Sequence, residues 1–223
     1  TLATLMQGAW ALLLSRQAGQ ADVTFGQVLG ARPPELPGAE RMAGLFLETL
    51  PLRVQVEEDR PLADWLRALQ ESRRVQEAAP PTGPGEIQAW LGLGAAPLFE
   101  SLLIVETYPE TIEAAVRRDG AEIRLSEAAV HERTGLPLTL KVLPGEDLEI
   151  VLSAETARIP AEALPALEAR LRRTLAAFVE APARPLRGID VIPPAERARL
   201  AAAGQGPRPP APPLAPEAIA ASV

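Results

Sequence analysis

The 223-residue sequence predicts an α/β fold, a sandwich of helices on a mixed sheet, and three observations carry that expectation. Apolar residues recur at helical spacing near the start and again after Pro160. Between them lie short segments that alternate or run continuously apolar, as strands do. Hydrophobic residues make up 47% of the chain, enough for a core, and no fixed-period repeat points to a solenoid.

Leu2, Leu5, Met6, Ala9, Trp10 and Leu13 share one helical face, so a buried amphipathic helix is expected from about Leu2 to Ala18, closed by Gly19. Val23 to Gly30 then alternates at period two and reads as a strand. Pro33, Pro34 and Pro37 remove amide donors from the following stretch and make it a loop of restricted backbone freedom. Leu50, Leu52, Val54 and Val56 form the dry face of a second strand, with Thr49, Arg53 and Gln55 on the wetter one. Asp59 and Pro61 open a helix whose stripe is Leu62, Trp65, Leu66 and Leu69 and which runs towards Ala79. A short helix follows around Gly85 to Leu91. The run Leu98 to Val105 is apolar enough for the central strand, buried on both faces. Leu138 to Val142 and Leu148 to Leu152 are expected to pair antiparallel, with turns at Asp119-Gly120 and Pro144-Gly145. Leu164, Leu167, Leu171, Leu175 and Phe178 mark a long helix, and a short one lies near Pro194 to Ala202. Residues 204–216, rich in Pro and Gly, are expected to form an extended linker. The reading is one domain over 1–191 and a Pro/Ala-rich linker over 192–223.

Composition excludes several functions. A formal net charge of -7 repels a phosphate backbone, so nucleic acid is not an expected partner. No run reaches the roughly 18 apolar residues of a bilayer crossing, and Thr1 to Leu14 lacks a basic start, so neither membrane nor secretion is expected and a cytoplasmic location is. With no Cys there is no disulfide, thiolate nucleophile or Cys-ligated metal, and the one histidine, His131, beside Glu132 and Arg133, suits a hydrogen-bonded strand residue better than a catalytic base. Gly92-Leu93-Gly94 and Gly204-Gln205-Gly206 lack the Lys-Ser or Lys-Thr of a phosphate loop and read as turns. The helix dipole accounts for Glu57, Glu58 and Asp59, and Trp10, Trp65 and Trp90 are expected to fill the core. No catalytic constellation and no metal site emerges.

The order of segments is more specific than any one residue. TLATLMQGAWALLLSRQAGQADVTFG, then LGARPPELPG, then MAGLFLETLPLRV, then EIQAW with APLFESLLIVETYPE follow one another as in the second half of the condensation domains of non-ribosomal peptide synthetases. MAGLFLETLPLRV resembles that family's fifth core motif through Met42, Gly44, Phe46, Thr49, Leu50, Pro51 and Arg53, with Glu48 where Asn is usual. Residues 78–85 depart from its sixth motif. Leu138-Thr139-Leu140 and the Leu164 to Phe178 helix are similar to its closing strand and last long helix.

The resemblance implies one lobe of the chloramphenicol-acetyltransferase-like, or CoA-dependent acyltransferase, fold: the C-terminal lobe of a condensation domain. It implies carrier proteins, donor and acceptor, that present phosphopantetheine thioesters at a tunnel between two lobes, with no cofactor bound by the chain itself. The His-His-x-x-x-Asp-Gly motif belongs to the other, N-terminal lobe and is absent here, so the chain alone is expected to be inactive. Residues 30–47 resemble the floor loop, and a segment between Tyr108 and Pro137 the latch. Gly30, Arg32, Glu48 and Thr49 are the implied substrate and pantetheine tunnel residues, although Arg32 serves equally to brace its loop. By the same resemblance LAPEAIAASV is expected to begin either an adenylation domain or a carrier protein. The alternative is a non-catalytic docking module that keeps the lobe to bind carriers or tailoring enzymes.

Overall fold

The computed structural model describes residues 1–30, 36–44, 46–77, 82–106, 133–145 and 147–204. It divides into two compact units, Thr1–Val191 and Ile192–Val223. In the first, helix α1 (Leu2–Ala18) leads into strands β1 (Asp22–Gly30) and β2 (Leu47–Gln55). Helices α2 (Leu62–Glu77) and α3 (Pro84–Trp90), strands β3 (Ser101–Val105), β4 (Leu138–Leu143) and β5 (Glu149–Ala154), and helix α4 (Leu164–Glu180) complete it. In the second unit, α5 spans Pro194–Gly204. Among the described residues no helix is long and apolar enough to cross a membrane. The Asp119-Gly120 turn, His131 and the linker from Gln205 onward lie outside the described residues.

The five strands form one mixed sheet in the order β2-β1-β3-β4-β5. β3 is central, flanked in parallel by β1 and β4, while the outer pairs β1–β2 and β4–β5 are antiparallel. The registers Gln27↔Leu50, Gln27↔Leu103, Leu103↔Leu140 and Leu140↔Leu152 put one row of side chains on a common face. Helices α1, α2 and α4 cover that face. Trp10 Nε1 of α1 donates to Ser101 Oγ of β3 at 3.4 Å, and Leu164 and Pro165 of α4 line a groove with Ile150 and Leu152 of β5.

Local chemistry sets the ends of α1. Thr1 Oγ1 accepts from the Thr4 amide at 3.2 Å, and Gly19, at φ 64°, takes the left-handed conformation and donates back to the Ser15 carbonyl. The amphipathic expectation needs correction, because Leu5 is 38% exposed whereas Gln7, Gly8, Ala11 and Leu12 are buried beside Met6, Ala9, Trp10 and Leu13. The helix is enclosed on more than its sheet side. A Cβ on Gly8 would lie 3.1 Å from the Trp65 ring and closer still to Leu66, so α2 reaches this distance only against glycine.

Three further expectations change. The strand expected over Leu98 to Val105 starts only at Ser101; Phe99 instead sits on the second face of the sheet, where a Cβ on Gly26 would meet its ring at 2.5 to 2.9 Å. Trp10 and Trp65 are core residues, but Trp90 is 73% exposed, because α3 is only seven residues long and buries none of them. Glu57, Glu58 and Asp59 pair with Arg60, Arg16 and Arg187, and α2 begins beyond them at Leu62, so the partners are guanidinium groups rather than a helix dipole.

Backbone bonds tie the chain after α4 to this same corner. The Leu62 and Ala63 amides donate to the Arg184 and Pro182 carbonyls at 3.0 and 2.9 Å, and the Leu186 and Arg187 amides donate to Arg60 and Glu58 at 3.1 and 2.9 Å. The end of the first unit is thereby fixed to the turn between β2 and α2.

Candidate functional site

The residues singled out from the sequence meet where β1 ends and β2 begins. Gly30 is in register with Leu47, Leu29 with Glu48, and Val28 with Thr49. Alternation along the strands divides this set by face. Gln27, Leu29, Glu48 and Leu50 point to the helix side, whereas Val28, Gly30, Leu47 and Thr49 share the second face with Gly26 and Pro51. The structure therefore brings Gly30 and Thr49 together and turns Glu48 away from them. Arg32 and most of the proline-rich loop lie outside the described residues, as does the greater part of the latch segment.

Gly30 needs no special backbone, since its φ is not positive, and a Cβ there would meet none of the described residues within 4 Å. Thr49 is half-buried opposite Val28, and Glu48 is half-buried opposite Leu29. Past Gly38 (φ 80°) a short 3-10 turn over Ala39–Arg41 buries Ala39 and leaves Leu36, Met42 and Leu47 at 42%, 40% and 48% exposure.

Sequence reasoning missed two features of this sheet, the second of them at the end of the β1–β2 ribbon opposite Gly30. Lys141, the chain's single lysine, lies mid-strand in β4 on the second face, and its Nζ is 2.7 Å from Glu106 Oε1. Glu106 follows β3 directly and extends its ladder by donating its amide to Val142 O at 2.9 Å. A lone lysine inside an apolar strand was the available signal. The second feature is an ion pair on the β1–β2 ribbon: Arg53 Nε donates to both Asp22 oxygens at 3.0 Å. Those hydrogen bonds from Arg53 hold the Asp22 carboxyl below the usual carboxylate range.

Comparisons with known proteins bear on the fold and the family. A linear gramicidin synthase of Brevibacillus parabrevis is 38% identical over 201 residues, which is 90% of this chain but 4% of that protein. Vanchrobactin synthetase VabF of Vibrio anguillarum is 37% identical over 153 residues, 68% of this chain and 5% of that protein. The chain thus spans only a small part of the curated relatives it matches. Among solved structures, one described as the crystal structure of CT superimposes with a TM-score of 0.73 at 22% identity, over 85% of this chain and 44% of that one. The complex of the X-domain and OxyB from teicoplanin biosynthesis gives 0.68 at 23%, over 86% and 43%. These likenesses bear out the expected chloramphenicol-acetyltransferase-like, mixed α/β fold. The condensation-domain family model matches residues 1–201, past Val191 and into α5. The chain belongs to the condensation-domain family of non-ribosomal peptide synthetases.

Proposed function

We propose that this chain is the C-terminal lobe of a condensation domain and forms one wall, the floor loop and the latch of the tunnel in which an amide bond is made. The observation that carries the reading is coverage: the CT structure and the X-domain each account for about 85% of this chain, yet the chain accounts for only 44% and 43% of theirs. The sequence holds a single histidine, so the His-His-x-x-x-Asp-Gly motif must come from the complementary lobe. Gly30 and Thr49 face the tunnel, and Arg32 belongs to the same floor loop. Glu48, on the other side of β2, supports the floor from behind.

In the reaction the acceptor's amine nitrogen attacks the carbonyl carbon of the donor thioester. The new C–N bond forms as the C–S bond breaks, the donor phosphopantetheine thiol leaves, and the proton lost by the amine ends on that thiolate. Both thioesters are carried on phosphopantetheine arms of donor and acceptor carrier proteins. This lobe supplies positioning and exclusion of water rather than the proton-transfer group. Residues 192–223 lead on to an adenylation or carrier domain.

A reconstitution in two pieces tests the reading. Mixed with a polypeptide bearing the His-His-x-x-x-Asp-Gly lobe and with carriers loaded with an acyl donor and an aminoacyl acceptor, the chain restores amide formation that neither piece gives alone. Amide formation by the chain alone, or none from a pair that forms a stable complex, would overturn it. The second reading, a docking module without catalysis, is supported by the likeness to the X-domain, whose solved complex contains OxyB; it predicts the latter outcome together with capture of a carrier or tailoring enzyme.

A further inference from the structure

Three glutamines, from two helices and a strand, form one chain of hydrogen bonds beneath the site. Gln7 Nε2 of α1 donates to Gln27 Oε1 of β1 at 2.6 Å, Gln27 Nε2 donates to Gln76 Oε1 of α2 at 2.9 Å, and Gln76 Nε2 donates to the Pro51 carbonyl of β2 at 2.9 Å. Gln7 and Gln27 are 3% and 2% exposed. The last link dictates the direction of all the others. Proline has no N–H, so Pro51 stands at a position of the antiparallel ladder whose carbonyl points away from β1, and a carbonyl can only accept. Gln76 must therefore present its nitrogen there and its oxygen to Gln27, which in turn must present its own oxygen to Gln7. Reversing any one amide would set two oxygens or two NH2 groups against each other in a buried site. The chain ends at Gln7 Oε1, which has no partner among the described residues.

The position of this chain gives it a consequence for the site. Gln27 lies three residues before Gly30, and Pro51 two residues after Thr49. A leucine at position 27 would fill comparable volume without direction and would remove the side-chain link from β1 to α1 and α2, leaving the β1–β2 and β1–β3 ladders and the Gln76–Pro51 bond. We propose that Gln27 is a positioning residue: through Gln7 and Gln76 it clamps the Gly30 end of β1 and the Thr49 start of β2 against α1 and α2, so that the tunnel side of the ribbon keeps one height. Its consequence for turnover rests on the function proposed above.

The test uses the full-length protein with Gln27→Leu and, because Gln27 is buried and its loss could prevent folding, Gln76→Leu at the half-buried end of the chain. Amide hydrogen exchange over residues 28–30 and 47–50 should accelerate about tenfold in both, the equivalent of roughly one lost hydrogen bond, while residues 138–143 of β4 exchange as before. With loaded carriers, kcat should fall about tenfold while KM for the acceptor carrier stays constant, as expected of lost orientation rather than lost binding. Unchanged exchange at the ribbon, or equal acceleration in every strand, would overturn the clamp. Acceleration confined to the ribbon with undiminished turnover would overturn the positioning role instead. A wild-type protein that forms no amide contradicts the proposed function instead, and the exchange measurement then decides the clamp on its own.

Discussion

The two edges of the sheet are built differently. At the β2 edge two carbonyls that point away from the ladder are taken by α2: Gln76 caps Pro51, and Trp65 Nε1 donates to Gln55 O at 2.8 Å. Leu52 and Val54 behind them are 3% exposed. At the β5 edge, Ile150 and Leu152 are only half-buried and line a groove of about 230 Å³ with Ala161, Leu164, Pro165 and Glu168. An edge strand is a template for unwanted pairing unless something covers it. The edge with polar caps is β2, the strand that carries Thr49.

The largest expected effects come from matched truncations at the two edges. Leu52→Ala should lower unfolding free energy by about 2–5 kcal/mol in denaturant titrations. Leu152→Ala should cost no more than about half of that, because its side chain gives up less buried area. Equal losses would break the comparison. Gly26→Val comes next: its side chain would displace the Phe99 ring, at about 1–3 kcal/mol, and adding Phe99→Ala should recover part of the loss rather than add to it. Trp65→Phe keeps an aromatic ring but removes the cap on Gln55 and part of the buried indole, so it should cost at least the about 1 kcal/mol of a lost hydrogen bond, with faster exchange on the β2 side.

The smallest effect is electrostatic. Asp22 has a folded-state pKa below its unfolded one, so its pairing with Arg53 stabilises the fold above the ordinary carboxylate range and is lost as pH falls through the lowered folded value. Asp22→Asn should leave neutral-pH stability almost unchanged, since the pair is exposed, and should flatten the acid side of the stability profile. High salt should shrink the difference between the two proteins.

How much of this was legible in the sequence depends on whether the signal was local. The ends of α1 were, because a capping threonine and a left-handed glycine act within a few residues of themselves. The burial of α1 on nearly all sides was not, because Gln7 and Ser15 look like solvent-facing residues until Gln27 and the other helices are brought to them. The glutamine chain joins residues 7, 27, 51 and 76, and no pattern in any one segment announces it. Trp90 misled because an aromatic at helical spacing is buried only if its helix has something to lie on. The family was read from the order of motifs, not from physical chemistry. Alternation, by contrast, could have separated Glu48 from Thr49 at once: adjacent residues of a strand cannot line the same wall.

The most direct test of the central claim is which face of β2 meets the substrate. A carrier-borne pantetheine thioester with a photoreactive acyl group, presented to the full-length protein and irradiated, should label the Val28, Gly30 and Thr49 side of the ribbon and spare Leu29 and Glu48. Labelling of Leu29 or Glu48, or labelling elsewhere in the protein with none on this ribbon, would contradict the assignment of this surface as the tunnel wall.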